Sequence, residues 1–194
     1  MYFIIHETSA TALVNILKTN TLFKSSKLQE MGLKNGQGRS QNIIVKDPKL
    51  TLTDPNFVES GIDEVDGVYF RLVTDNIKPV INYGDCILVF PFDVVVENHN
   101  NFVFNSEDNK GFCIAEDGVV AETQFSGDEG ITISKLENFH ILEHFNFNHY
   151  SSEIVIMDDV NLTKLNSIFI KRNKLNGEII SLCQQKNINV NILD

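Results

Sequence analysis

"MYFIIHETSATALVNILKTNTLFKSS" (Met1–Ser26) carries the reading that decides the fold. Tyr2 to Ile5 is a short β-prone run, and Thr8 or Ser9 can cap a helix behind it. Leu13, Ile16 and Leu17 then recur at helical spacing with Val14 beside them, and Asn20 is suited to a C-terminal stop. The chain therefore opens as a strand followed by an amphipathic helix. His6 is the odd residue: an imidazole at the end of an apolar strand needs a hydrogen-bonding partner. That partner is either internal, as for a core histidine, or a ligand.

Working outward, 194 residues with 42% hydrophobic and 22% charged content describe a globular chain able to build a core. A single domain over 1–194 is expected. The formal net charge of −10 argues against a broad nucleic-acid platform, because an acidic surface repels phosphate, although one local basic cleft stays open. Cys86, Cys113 and Cys183 are odd in number and far apart, without metal-ligand or redox spacing, which suits reduced thiols. The start lacks the pattern of a signal peptide, and no apolar run reaches the ~18–20 residues of a membrane span. A cytoplasmic protein without membrane partners is the expectation. Frequent asparagine points to an AT-rich genome, a viral one among the options.

Further along, "SSKLQEMG" places Ser26 three residues before Gln29 in a capping-box pattern, with Gly32 closing the turn. "LKNGQGRSQ" is glycine-rich and holds Arg39. The polar stretch Asp47–Gly67 has the length of a functional lid. "GVYFRLV" and "DCILVFPFDVVV" read as strands, and "GFCIAEDGVVAETQF" as a hairpin turning at Asp117-Gly118. "ITISKL", "NFHILEHFNF", "EIVIM" and "SIFIK" continue the β pattern. "LNGEIISLCQQKN" reads as a helix and "INVNIL" as a last strand. The class is α+β, rich in strands.

Among motifs, His140-Ile141-Leu142-Glu143-His144 fits the H-x-x-E-H pattern of inverted zinc proteases. Phe139, Ile141, Phe145 and Phe147 alternate as on a strand, however. A strand holds the two histidines ~13 Å apart, at about 3.3 Å per residue, too far for one metal. No third ligand is evident, so no metal is expected. "NGQGR" is neither a Walker loop nor a dinucleotide fingerprint. In "HYSSEIVIMDDVNLTKLNSIFIK", Ser151, Ser152 and Glu153 stand at the mouth of a strand, where a carboxylate can be partly desolvated and still reach a ligand. From the residues alone Glu153 reads first as a solvated strand end, His6 as a core histidine and Tyr69 as a β-filling residue.

Taken together and in order, three segments resemble the ADP-ribosyltransferase superfamily. They are the early His-containing strand with its helix and Leu-x-x-Ser turn, "GVYF" at Gly67–Phe70, and "SSEIVIMDDVNLTKLNSIFI" opening on a glutamate. This is similar to the His-Tyr-Glu type, as His6, Tyr69 and Glu153, and within it to the DarT-like DNA-modifying branch. Arg39 and the proline-containing "IKPVINYGDCILVF" match features of that branch.

The resemblance implies a split, mostly antiparallel β-sheet core with flanking helices. It implies transfer of ADP-ribose from NAD+, as substrate, to a protein, nucleic-acid or small-molecule acceptor with release of nicotinamide. In such enzymes the glutamate holds the nicotinamide-ribose 2′-OH and stabilises an oxocarbenium-like transition state. The histidine bonds the adenosine ribose, and the tyrosine stacks on nicotinamide. On this basis Glu153 and Arg39 are the catalytic candidates, Arg39 pairing with pyrophosphate or lying near the acceptor. His6, Thr8, Tyr69, Phe70 and Ser152 are the NAD+-binding candidates.

Two positions depart from the pattern. Ser151 stands where the arginine-modifying subgroup has Glu or Gln, and Glu7 stands where glycine usually follows the histidine, close enough to repel a pyrophosphate. Competing readings are an inert binding module on the same fold and a zinc hydrolase on "HILEH". An RNA 2′-phosphotransferase ranks lower, since Arg39, Arg71 and Arg172 are the only arginines.

Overall fold

The opening strand becomes an interior strand of the sheet because both of its faces are apolar as far as Ile5. The computed structural model describes residues 2–33, 66–74, 80–98, 102–105, 110–114, 119–124, 132–135 and 153–194. The order begins with β1 (Tyr2–Thr8), α1 (Ala10–Thr19), the short β2 (Thr21–Leu22) and α2 (Ser25–Glu30). It continues through β3 (Val68–Thr74), β4 (Cys86–Pro91), α3 (Asp93–Asn98), β5 (Phe102–Asn105), β6 (Lys110–Ile114), β7 (Val119–Gln124) and β8 (Thr132–Lys135). Then come β9 (Glu153–Ile156), β10 (Val160–Asn161), β11 (Ser167–Lys171), α4 (Gly177–Gln185) and β12 (Asn189–Leu193). Among the described residues, ten strands form one sheet in the order β12-β11-β4-β1-β3-β9-β5-β6-β7-β8, and β2 pairs separately with β10. Among the same residues, only β11 and β12 pair in parallel. The α+β class and the mostly antiparallel core are as expected.

The sheet is split as well. β1 stays paired with β4 as far as Thr8↔Cys86, and β3 stays paired with β9 back to Val68↔Ile156. Between β1 and β3, however, the ladder ends at Ile5↔Arg71. Beyond that row each strand follows its other neighbour.

One face of the sheet carries Ile4, Phe70, Leu72, Leu88, Ile154 and Ile168, covered by Leu13 and Leu17 of α1 and by Ile179 and Cys183 of α4. The opposite face carries Ile5, Val73, Ile87 and Val89, with Phe3, Ile81 and Phe169 beside them. Alternation along each strand produces this division, since successive side chains point to opposite faces. At the start of β3, a Cβ on Gly67 would lie 2.5 Å from the Ile156 carbonyl oxygen. Only glycine lets β3 approach β9 so closely, which gives "GVYF" its first residue a packing reason.

The caps of α1 are those the sequence predicts. The Ser9 hydroxyl accepts from the Ala12 amide, and Asn20 takes the left-handed conformation at φ 59° with its amide on the Ile16 carbonyl. Gly32, at φ +67°, closes α2 with its amide on Gln29. The capping box at Ser26 and Gln29 is corrected: α2 begins at Ser25, with Lys24 at the cap and no side-chain cap bond. Its first-turn donors go to Asp66 instead, which accepts from the Ser26 amide at 2.8 Å and the Ser26 hydroxyl at 2.7 Å. That carboxylate is 2% exposed and meets the Lys24 ammonium at 3.4 Å.

The strand reading of "DCILVFPFDVVV" holds only to Pro91. Proline has no N–H for a ladder, Phe92 donates to the Tyr2 carbonyl, and Asp93–Asn98 is helical. Val94 and Val95 are buried there, so tertiary packing overrides the β-branched preference. β6 and β7 pair as the expected hairpin, while its turn at Asp117-Gly118 lies outside the described residues. "NFHILEHFNF" with His140, Glu143 and His144 lies outside them too, as do Arg39, Ser151, Ser152 and residues 47–65 of the expected lid.

Candidate active site

Pairing fixes which candidates share a face. Arg71 faces Glu153 across β3 and β9, and Tyr69 faces Val155. Facing residues share a face, so Tyr69, Arg71 and Glu153 stand together, and Tyr69 and Glu153 are diagonal neighbours. Such neighbours sit ~7–8 Å apart, within reach of one ring-sized ligand. All three are half-buried. Phe70 pairs with Ile154 on the opposite face and is 2% exposed, a core residue. His6, opposite Leu88 in β4, belongs by alternation to the face of Phe70, as does Thr8.

His6 and Tyr69 nevertheless meet at the split. His6 Nδ1 lies 2.9 Å from the Tyr69 carbonyl oxygen. A carbonyl only accepts, so the ring proton is on Nδ1. The ring also makes an edge contact with Phe70 at 5.7 Å between centroids. Burial lowers the His6 pKa from its ordinary 6.5, against the Tyr69 carbonyl, which favours the protonated ring. A neutral imidazole with its proton on Nδ1 presents Nε2 as an acceptor. His6 thus has an internal partner and still keeps one atom for a hydroxyl donor. The main chain of Tyr69 is fixed by the same bond.

Glu7 behaves differently from the sequence expectation. Its side chain is 7% exposed, and its carboxylate is fully engaged. Oε1 accepts from Arg71 Nη2 at 2.5 Å, and Oε2 accepts from the Asn82 and Tyr83 amides at 2.7 and 2.6 Å. Arg71 Nη2 also donates to the Val80 carbonyl at 3.0 Å. Two adjacent amides and a guanidinium around one carboxylate make a strong, charge-assisted arrangement. A carboxylate held this way is neutralised in place and has no open charge to turn on a pyrophosphate. Arg71 Nε is buried without a hydrogen-bond partner, an omission that costs ~1–3 kcal/mol.

The turn after Glu7 is pinned from the other side. Asp85 donates its amide to the Thr8 carbonyl and accepts from the Ala10 amide at 3.3 Å, at the start of α1. Lys171 Nζ donates to the Gly84 carbonyl at 2.8 Å. The sequence reading passed over Arg71, Asn82, Tyr83 and Asp85. Period-two alternation in "GVYFRLV" could have flagged Arg71 as Tyr69's same-face neighbour, but nothing local points to residues 82–85. Among the described residues no group of His, Cys, Asp and Glu could hold a metal ion, and no helix is long and apolar enough to cross a membrane.

The model of the Family of unknown function (DUF5863) matches residues 1–172. The chain belongs to DUF5863. It is similar to "Uncharacterized protein 422L" of Invertebrate iridescent virus 6, with 33% identity over 172 residues, covering 87% of this chain and 84% of that protein. Among solved structures, this DUF5863 chain is similar to Thermus sp. 2.9 DarT in complex with carba-NAD+. The TM-score is 0.50 at 10% identity, covering 99% of this chain and 95% of that one. The same protein in complex with ADP-ribosylated ssDNA gives a TM-score of 0.49 at 11% identity, covering 98% of this chain and 93% of that one. The likeness is one of fold: the DUF5863 chain has a DarT-like ADP-ribosyltransferase fold.

Proposed function

We propose that this chain is an NAD+-dependent ADP-ribosyltransferase. The observation that carries the reading is the half-buried face where Tyr69 and Glu153 are diagonal neighbours, beside the split that His6 spans. Support comes from the fold, since its structural neighbour is a complex with the NAD+ analogue carba-NAD+.

The chemistry assigns a role to each group. The C1′–N bond between ribose and nicotinamide breaks, its electron pair leaves with nicotinamide, and C1′ becomes oxocarbenium-like. The carboxylate of Glu153 stabilises that charge and holds the ribose 2′-OH. Tyr69 offers a flat face to nicotinamide. His6 Nε2 accepts from an adenosine-ribose hydroxyl at the split. Arg39 and Ser152 keep the roles in NAD+ binding and pyrophosphate or acceptor contact that the resemblance implies. An acceptor nucleophile then bonds to C1′ and gives up its proton. The net charge of −10 disfavours an extended nucleic-acid surface, so the acceptor is met locally.

Nicotinamide release from NAD+ by the purified chain tests this. Glu153→Gln is expected to lower release by ~10²–10³-fold with an unchanged melting temperature, and a zinc chelator to have no effect. Tyr69→Ala is expected to raise KM more than it lowers kcat. No release, even with cell extract as the source of acceptor, sinks the reading in favour of an inert binding module. Loss of release with chelator shifts it to the zinc hydrolase.

A further inference from the structure

We infer that Glu7 is a positioning residue for His6, tying β1 to β3 across the split so that the imidazole keeps its place. The inference rests on the transferase reading and explains why an acidic residue stands directly after His6. Continued past Ile5↔Arg71, the β1–β3 register would set His6 opposite Phe70 and Glu7 opposite Tyr69, but the ladder ends before either row. Side chains bridge the gap in its place. His6 Nδ1 donates to the Tyr69 carbonyl at 2.9 Å, and the Glu7 carboxylate accepts from Arg71 Nη2.

These two ties lie on opposite faces of the sheet. By alternation Glu7 shares the face of Ile5 and Arg71, whereas His6 lies on that of Phe70, whose ring it meets edge-on. One tie leaves two strands free to hinge about it. Two ties on opposite faces fix both the width of the split and its tilt. The Glu7 tie is the stronger, because its bonds are charge-assisted and that of His6 is not. It is also anchored, since its second oxygen is held by the amides of Asn82 and Tyr83. Glutamine cannot reproduce this. Its one acceptor oxygen would have to serve N–H groups on two sides, and its amide nitrogen meets donors whichever way it turns. Glu7→Gln therefore gives up either Arg71 or the turn, and the split then rests on the His6 bond alone.

The test reads the ring itself, through the imidazole nitrogen resonances of histidine-labelled protein above neutral pH, with His6 assigned through His6→Gln. Wild type is expected to show the pattern of a ring protonated on Nδ1. Glu7→Gln is expected to move it towards the averaged pattern of mixed tautomers, as the bond to Tyr69 loosens. Gly32→Ala is the control, because it strains a turn remote from the split, and it is expected to leave the His6 signals in place. Unmoved signals in folded Glu7→Gln, or equal movement in the control, overturn the inference whether or not the chain releases nicotinamide. If Glu7→Gln does not fold, Arg71→Met cuts the same tie from β3 and leaves Glu7 its two amides. The His6 signals are expected to move there too, and unmoved signals again overturn the inference. In nicotinamide release, Glu7→Gln is expected to raise KM for NAD+ by about tenfold with kcat within about threefold, since a bond to a remote hydroxyl is made alike in the substrate complex and the transition state. Moving signals with an unchanged KM refute the link to NAD+ binding. Moving signals without any release uphold the tie across the split and refute only the transferase reading.

Discussion

Replacing Gly84 by alanine tests whether the turn at residues 82–85 anchors the end of β1. Gly84 has φ +79°, and a Cβ there would lie 2.4 Å from the Thr8 carbonyl oxygen and 2.6 Å from its carbon. Ordinary carbon–oxygen approaches are about 3.3–3.6 Å, so the turn must retreat by about 1 Å. The obstacle is backbone and cannot rotate aside. Retreat strains the Asp85 amide bond to Thr8, the Lys171 bond to the Gly84 carbonyl, and the amides that hold Glu7. The left-handed conformation alone costs an L-residue roughly 1–2 kcal/mol. Weakening one hydrogen bond to a charged group adds roughly 1.5–3 kcal/mol. The sum is about 3–5 kcal/mol, and at about 2–4 °C per kcal/mol for a chain of this size the melting temperature falls by about 6–20 °C. Gly32→Ala is the matched control: φ is +67° and a Cβ there meets nothing within 4 Å. It incurs the conformational term alone, a fall of about 2–8 °C. Thermal melts of the two variants beside wild type separate the terms. Equal falls refute the close approach to Thr8 and with it the anchoring of β1.

Two further outcomes follow from titrating groups. The His6 pKa in the folded chain lies below its ordinary 6.5, so below about pH 6.5 the unfolded chain binds the extra proton first. Stability from this group is therefore full above 6.5 and declines as pH falls through 6.5 towards the folded value. Urea midpoints across that range should decline less steeply in His6→Gln than in wild type, and parallel profiles count against a buried neutral imidazole. Burial, helped by the neighbouring Asp85 charge, pushes the Cys86 thiol up to about 12, and burial raises Cys183 as well. A thiol reagent at neutral pH should leave both unlabelled until the chain unfolds, because only the thiolate reacts. Rapid labelling of either in the native protein contradicts that packing.

Local chemistry made part of this architecture legible from the sequence. Ser9, Asn20 and Gly32 act within four residues of themselves, so β1, α1 and the end of α2 could be read directly. β3, β9 and β11 were legible as strands from their β-branched and aromatic runs. What escaped was set at long range. Asp66 serves the first turn of α2 from 40 residues away, and Glu7 finds Arg71 at a separation of 64. No short pattern encodes either pairing. The same holds for the site: Tyr69 and Glu153 were nameable from motifs, but their shared face with Arg71 exists only once β3 and β9 are in register. The valines of α3 misled for the opposite reason, since their β preference is real and the core overrules it.

The match to DUF5863 ends at residue 172, but the packing does not. Ile179 and Cys183 of α4 are 0% and 1% exposed, seated against the same side of the sheet as Leu13 and Leu17 of α1. Burying one isoleucine is worth about 1.5–3 kcal/mol, and Leu175, Leu182, Ile188 and Val190 pack partly against the same core. Lys18 of α1 also meets Glu178 of α4 at 2.7 Å. That exposed pair adds under about 1 kcal/mol and serves mainly to fix the helix pair's register. Beyond α4, β12 extends the sheet by pairing with β11 from Ser167↔Asn189 to Lys171↔Leu193. Several kcal/mol are large against the roughly 5–15 kcal/mol that holds a domain together. Residues 173–194 therefore belong to the folding unit: without them β11 becomes an edge and the core beneath α1 opens to water. The helix-covered face has to be closed at this place for β4 and β1 to hold His6 at the split, so the integrity of the candidate site depends on a segment outside the family match.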